Sequence, residues 1–148
     1  MARAVRDPGF AASTETGRLQ RDAALKYAAA IFAIGLALHT ADHLRRGIDA
    51  VTPQVQTLGL FGTIVSVAAI AIALAGLRWA APLAIAVGLS QAVGVAAVHL
   101  LPNLGPYSDA FPGSSVGPVS WAAVFAEIAG ALIFAAAGAY VLRRSPIR

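Results

Sequence analysis

Long runs of apolar residues dominate the chain and alternate with short polar segments. The stretches 50–77, 79–108 and 128–142 contain no Asp, Glu, Lys or Arg, and an apolar run from Tyr27 to Leu38 precedes them. A helix needs about 20 predominantly apolar residues to cross a bilayer, where its backbone groups must be hydrogen-bonded within the helix itself. The pattern therefore predicts an all-α integral membrane protein.

Helix start and stop signals divide the apolar region into four transmembrane helices. Gly47 ends the first helix, and Pro53 suits the first turn of the second. The connection at 77–79 is so short that the second and third helices must be antiparallel neighbours. We therefore expect an up-down antiparallel bundle at 23–144 that follows a flexible cytoplasmic tail at 1–22 and precedes a short C-terminal tail at 145–148. The predicted spans are 23–46, 53–76, 80–101 and 119–142, with an outer loop at 102–118.

The basic residues predict the orientation of these helices in the plasma membrane. Only Arg45 and Arg46 fall on the side of the outer loop, whereas the other nine of the 11 basic residues fall on the side of the termini. Those nine are Arg3, Arg6, Arg18, Arg21, Lys26, Arg78, Arg143, Arg144 and Arg148. Because cytoplasmic segments carry the excess of Lys and Arg, both termini are predicted to be cytoplasmic.

The composition agrees with a membrane protein and excludes several functions. Of 148 residues, 58% are hydrophobic and 12% are charged, which is far from the balance of a soluble domain. The absence of Cys excludes disulfides, cysteine-ligated zinc, iron–sulfur clusters and dithiol chemistry. The net charge of +4 arises at the ends of the apolar runs, so no nucleic-acid partner is expected.

Small residues recur at four-residue spacing within the spans and predict close helix packing. Such seams let helix backbones approach where lipid removes the hydrophobic driving force for association. They predict a compact bundle in the lipid bilayer, but the same seams would also fit a second copy or a larger membrane complex. The seams are Ala126/Gly130, Ala131/Ala135/Ala139, Ala84/Gly88/Ala92 and Ala69/Ala73.

The segment His39-Thr40-Ala41-Asp42-His43 places three ionisable side chains within the first span. Positions i, i+3 and i+4 lie on one side of a helix, so we expect His39, Asp42 and His43 to share one helix face. Ionisable side chains within a membrane span are costly unless they face a protein interior or a water-filled cavity. The segment therefore marks the candidate functional site.

Further polar groups lie at comparable depths on the third and fourth spans. His99 falls near the outer end of the third span, while Gln91 and Glu127 lie deeper in the third and fourth. If these faces point inward, the polar groups form a column that descends from the outer rim to Glu127. No Lys or Arg lies at the depth of Glu127, which leaves His39, a metal or a bound ligand as its positive partner.

These residues predict an outward-facing pocket that binds a metal or a small polar or amphipathic ligand. The sharper expectation is one divalent transition metal, with zinc favoured. Imidazole and carboxylate groups suit such ions, which gives His39, Asp42, His43 and His99 as metal ligands. Glu127 is then either the base that takes a proton from bound water or the partner that orients a ligating histidine. Gln91 and Asp109 are expected to contact the bound group.

The same residues also allow other interpretations. Asp42 could pair with Arg45 or Arg46 one turn away, and the histidines could be interfacial side chains. The pattern His-x-x-Asp-His lacks the glutamate of the His-Glu-x-x-His protease motif, so that motif does not apply.

Two other function classes compete with the metal site. A haem held by His39 or His43 and His99 would make the protein a membrane cytochrome. Alternatively, the chain is a non-catalytic accessory or ligand-binding subunit, since it carries neither a phosphate-binding glycine loop nor a nucleophile elbow.

The outer loop is expected to fold back over the pocket as a lid. Its four prolines restrict the backbone, so the segment 107–111 should cover the pocket mouth and bring Asp109 close to His99 or His43.

Overall fold

Four α-helices make up most of the chain. The computed structural model describes residues 8–102 and 105–144. All four helices are long and apolar enough to cross a bilayer, so the prediction of an all-helical protein with four such helices is confirmed. The helices are α1 (Pro8–Arg46), α2 (Pro53–Leu74), α3 (Ala80–Leu100) and α4 (Pro118–Arg144), with 3-10 turns at Ile48–Ala50 and Gly105–Tyr107.

Helix α1 begins earlier than the sequence pattern predicts. It starts at Pro8, whereas the apolar part that could cross a membrane starts at Asp22, next to the predicted boundary. The segment 8–22 has no apolar face, but its last part, Arg18-Leu19-Gln20-Arg21, consists of residues that favour helix, and it extends an existing helix without a new nucleus. The remainder of the predicted N-terminal tail (1–7), Asn103 with Leu104, and the C-terminal tail (145–148) lie outside the described residues.

The turn between α1 and α2 is set by Gly47 and Thr52. Gly47 has φ of 95°, a conformation that glycine adopts without strain, and it ends α1. The Thr52 hydroxyl then accepts a hydrogen bond from the backbone N–H of Val55 at 3.2 Å and caps α2, whose first residue is Pro53. The stop and start signals in the sequence therefore act where they were expected.

Helices α1 and α4 pack backbone to backbone through two glycines. A Cβ atom added to Gly35 would lie 2.5 Å from the carbonyl oxygen of Ala126. A Cβ atom added to Gly130 would lie 2.9 Å from the Cα atom of Phe32. Glycine is thus required on both sides of this interface, and at Gly35 and Gly130 the backbones of α1 and α4 approach with no side chain between them.

Helix α4 uses the adjacent face in the same way against α3. A Cβ atom on Gly88 would lie 2.5 Å from the Ala131 carbonyl oxygen, and one on Gly138 would lie 2.6 Å from that of Ala81. Helix α4 is therefore the central packing element, and it contacts α1 and α3 far more extensively than α2 contacts either of them. The small residues at 69, 73, 84, 88, 92, 130, 131 and 135 are all buried inside the single chain.

The looser packing of α2 leaves space beside the histidines. Gly59 of α2 has no atom within 4 Å of the position that its Cβ would occupy. A cavity of about 590 Å³ lies between α2 and the faces of α1 and α3. The tight α1–α4–α3 packing therefore holds the candidate site, and α2 forms one wall of the cavity.

Replacing Gly35 with Ala should lower the thermal unfolding temperature of the detergent-solubilised protein. The added methyl would overlap the α4 backbone at Ala126 and Glu127, and overpacking of this kind costs about 1–3 kcal/mol. Gly59→Ala is the matched control, because its methyl meets no atom within 4 Å. Equal stability of Gly35→Ala and the wild type would contradict the close packing of α1 on α4.

Candidate functional site

The three histidines of the chain meet at one place. His39 and His43 come from α1 and His99 comes from the last turn of α3, and one ring nitrogen of each lies within 4.8 Å of those of the other two. The ring centroids of His39 lie 4.7 Å from His43 and 4.8 Å from His99. His39 is 7% exposed and His99 is 2% exposed, while His43 is partly buried. The cluster is thus an interior feature.

Glu127 reaches this cluster from α4 and binds His39. Its Oε2 atom is hydrogen-bonded to Nδ1 of His39, and its Oε1 atom accepts a 2.9 Å hydrogen bond from the Gln91 amide. Glu127 is 1% exposed, so these bonds supply the partners that a buried carboxylate requires. Gly35, one turn before His39, lies against the Glu127 backbone and so allows the two side chains to meet.

The bond to Glu127 determines which nitrogen of His39 is available. With a carboxylate on Nδ1, that nitrogen holds the proton and Nε2 presents a lone pair. Nε2 is buried and has no hydrogen-bond partner among the described residues. A histidine whose second nitrogen is bound by a carboxylate is the arrangement typical of metal ligands.

His99 is oriented by the outer loop in a comparable way. Its Nδ1 lies 3.2 Å from the backbone carbonyl oxygen of Asp109 and 3.4 Å from the Asp109 carboxylate. The loop itself is attached to α3, because the N–H of Asp109 donates to Val98 and that of Phe111 donates to the His99 carbonyl. The prediction that Asp109 lies near His99 is confirmed, and Nε2 of His99 is left available as an acceptor.

The outer loop supports the site from outside and does not form a lid. Phe111 is 1% exposed and packs between His99 and Trp121, at centroid distances of 4.8 and 5.3 Å. Tyr107 is exposed instead, and none of the described loop residues 105–117 lines the cavity. The lid prediction is therefore wrong, because backbone bonds to the end of α3 hold the loop beside the histidines rather than across the cavity.

Asp42 does not join the histidine cluster, in contrast to its assignment from sequence as a metal ligand. Its Oδ1 accepts hydrogen bonds from Arg45 at 2.7 and 3.1 Å, and the same guanidinium donates to Ser120 of α4. Residues 42 and 43 project about 100° apart around a helix, so Asp42 turns toward α4 while His43 turns toward the cluster. The ion-pair interpretation that the sequence left open is the one that the geometry supports.

An ion pair between Arg46 and Asp109 was missed by the sequence reasoning. The guanidinium makes two hydrogen bonds to the carboxylate, at 2.7 and 2.8 Å, and lies over the Phe111 ring. The available signal was charge complementarity, since Arg46 ends the first span and Asp109 is the acid of the outer loop. The pair fixes the loop that orients His99.

The Arg46 pair also determines the protonation of Asp109. Burial alone would raise the pKa of the Asp109 carboxyl, but hydrogen bonds from His99 and Arg46 and the positive charge of Arg46 outweigh it. They hold the pKa well below its ordinary value. Asp109 is therefore an anion throughout the physiological pH range.

The cavity opens directly beside the histidines and is lined by residues of α1, α2 and α3, by Gly47 and Val51 of the turn after α1, and by Glu127 of α4. Gln91 and Glu127 lie at its walls together with the three histidines. Its volume of about 590 Å³ falls within the range of about 300–1,000 Å³ that is usual for small-molecule sites. The arrangement can bring a ligand within reach of the free imidazole nitrogens.

Comparisons with protein-family models, with curated proteins and with solved structures found no match to this chain. The function must therefore be inferred from the geometry of the site.

The Asp109 pair should make stability depend on pH in the acid range. Because the folded pKa is lowered, the carboxylate stabilises the fold above its unfolded pKa of about 3.9, and this contribution is lost as the pH falls toward the folded value. Thermal unfolding should show Asp109→Asn less stable than the wild type at pH 7, with the difference shrinking below about pH 4. The exposed Asp49, changed to Asn, is the control and should show a smaller difference. A difference that does not vary with pH would contradict the role of the charge.

Proposed function

We propose that this chain is an integral membrane metalloprotein that binds one divalent transition metal, favouring zinc, through His39, His43 and His99. The observation that carries the proposal is the buried, unpartnered Nε2 of His39, whose Nδ1 is held by Glu127. An orphaned imidazole nitrogen in an apolar span is costly unless something binds it. Two further histidines supply nitrogens within 4.8 Å.

The donor set fits zinc after a small closure of the rings. Zinc–nitrogen bonds of about 2.0–2.1 Å in a tetrahedral site separate ligand nitrogens by about 3.3 Å. The three nitrogens already lie within 4.8 Å of one another, and His43 is partly buried and borders the cavity. Three neutral imidazoles leave one coordination position open, as in catalytic zinc sites, and that position would face the cavity.

Glu127 is proposed as a positioning residue rather than as the base. Both of its oxygens are engaged, one with His39 and one with Gln91. Such a carboxylate fixes the imidazole tautomer and makes the free nitrogen a stronger ligand. A bound metal would act as a Lewis acid that polarises an oxygen of the ligand in the cavity.

The geometry favours the metal over a haem. A haem iron with two histidine ligands requires the two rings on opposite faces of a porphyrin. The rings of His39 and His99 are in edge contact at 4.8 Å, and those of His43 and His99 are 5.6 Å apart. Neither pair leaves room for a porphyrin between the rings.

Elemental analysis of protein purified without a polyhistidine tag should find about one equivalent of zinc or a related metal. His39→Ala, His43→Ala and His99→Ala should each lose most of it, because each removes one of three ligands. Asp42→Asn should keep it, since Asp42 contacts Arg45 and not the cluster. Glu127→Gln should bind metal about 10–100-fold more weakly in a chelator competition while the rings stay in place.

Two results would contradict the proposed site. Wild-type protein that remains metal-free after incubation with zinc would leave the accessory or ligand-binding subunit as the better interpretation. Metal loss in Asp42→Asn equal to that in the histidine variants would show that the site has a different composition.

We also propose that the helices form an up-down antiparallel bundle in the plasma membrane with both termini in the cytoplasm. The short connection between α2 and α3 and the distribution of Lys and Arg support this orientation. The cation–π contacts of Arg78 with Trp79 and of Arg144 with Tyr140 suit the inner membrane interface. The histidine cluster would then lie toward the outer face.

Reporter fusions test the orientation. A C-terminal fluorescent protein that matures only in the cytoplasm should be bright, and a C-terminal phosphatase that folds only outside should be inactive. A reporter inserted after Gly113 in the outer loop should give the opposite pair of results. An active C-terminal phosphatase would overturn the orientation.

A further inference from the structure

The cavity beside the histidines is much larger and more apolar than a metal site requires. Most of its lining is apolar, with leucines and valines of α1, α2 and α3, and its polar lining residues are the three histidines, Gln91, Glu127, Thr40, Gln56 and Thr63. Of the described residues that line it, none is Lys or Arg. A metal ion with a bound water would leave most of this volume without a polar partner, so the shape indicates an amphiphilic ligand.

The cavity reaches the membrane-facing surface between α1 and α2. Its lining includes Leu44 of α1, which is 67% exposed, and Leu58 and Leu60 of α2, which are 49% and 64% exposed. These residues lie in segments that are able to cross a membrane. An apolar chain could therefore extend from the histidine cluster to the bilayer without meeting water.

Two glycines keep this passage wide. Gly59 on α2 and Gly94 on α3 both line the cavity, and neither has an atom within 4 Å of the position its Cβ would take. Elsewhere in the bundle Gly35, Gly88 and Gly130 allow helices to touch, but Gly59 and Gly94 face open space. The missing side chains at Gly59 and Gly94 therefore enlarge the cavity, and they do not serve helix–helix contact.

The charges around the site call for an anion. Asp42 and Asp109 are already paired with Arg45 and Arg46. A divalent metal on three neutral imidazoles, with Glu127 as the remaining carboxylate, leaves one net positive charge beside an apolar cavity. Uncompensated charge in such surroundings is expensive, so a monovalent anionic head group would be held there.

We propose that the cavity binds a single-chain fatty carboxylate, with its carboxylate on the metal and its tail in the passage between α1 and α2. The inference rests on the proposed metal site and assigns its ligand class. A carboxylate supplies the one negative charge required, whereas phosphate head groups are usually held by Arg or Lys, which the described lining lacks. At ~30 Å³ per heavy atom, a volume of about 590 Å³ holds roughly 20 atoms, which accommodates a single-chain carboxylate of moderate length.

Cobalt-substituted protein provides the test, because the visible absorption bands of Co²⁺ change when a ligand enters its coordination shell. Dodecanoate added to the full chain in a non-ionic detergent should shift these bands. Acetate, which has the head without the tail, should bind at least about 100-fold more weakly, because no CH₂ groups are buried. Dodecyltrimethylammonium, which has the tail without the carboxylate, should produce no shift.

Variants at the two glycines test the passage. Gly59→Leu and Gly94→Leu should each weaken dodecanoate binding by roughly tenfold or more, since the new side chain occupies the space of several CH₂ groups. Both should keep the wild-type cobalt content and the wild-type response to acetate. Ala68→Leu is the matched control, because Ala68 is exposed on α2 and does not line the cavity, and it should bind dodecanoate as the wild type does.

The possible outcomes separate this inference from the metal site. Normal cobalt binding without a dodecanoate shift would overturn the ligand assignment and leave the metal site in place. Failure to bind cobalt at all would overturn both. Dodecyl phosphate binding more tightly than dodecanoate, or unchanged dodecanoate binding in both glycine variants, would overturn the carboxylate head or the passage, respectively.

Discussion

The bond between His39 and Glu127 is the interaction on which the rest of the site depends. A carboxylate within an apolar span is costly unless it is paired, and here the partner is an imidazole on another helix. The bond requires α1 and α4 to lie within backbone contact, which Gly35 and Gly130 allow. The site therefore depends on the close packing of α1 against α4.

This bond fixes which ring nitrogen of His39 carries the lone pair. Because Glu127 occupies Nδ1, the lone pair of His39 is presented at the buried Nε2, and the rings of His43 and His99 pack against the His39 ring. The Asp109 backbone carbonyl orients His99 in the same way, through a hydrogen bond with its Nδ1. Arg46 holds the loop that contains Asp109. Arg45 and Arg46 neutralise Asp42 and Asp109, whereas the partner of Glu127 is His39 of the cluster itself.

Helical spacing predicted part of the site and misassigned another part. Spacing alone placed His39 and His43 on one face, and apolar depth identified Glu127 as a residue that needs a partner. The same spacing grouped Asp42 with the histidines, although residues 42 and 43 point about 100° apart. This angle is wide enough for the Asp42 side chain to face α4 while the His43 side chain faces the histidine cluster.

The sequence by itself determined that the protein has four helices able to cross a membrane, because apolar length and glycine and proline signals are local properties of the chain. It also determined the small set of ionisable groups from which any site must be built. Only the tertiary structure decided that Glu127 binds His39, that Asp42 binds Arg45 and that the loop supports His99. Those pairings depend on which helix faces meet and how closely, and residues 35 and 127 are brought together by packing rather than by any pattern along the chain.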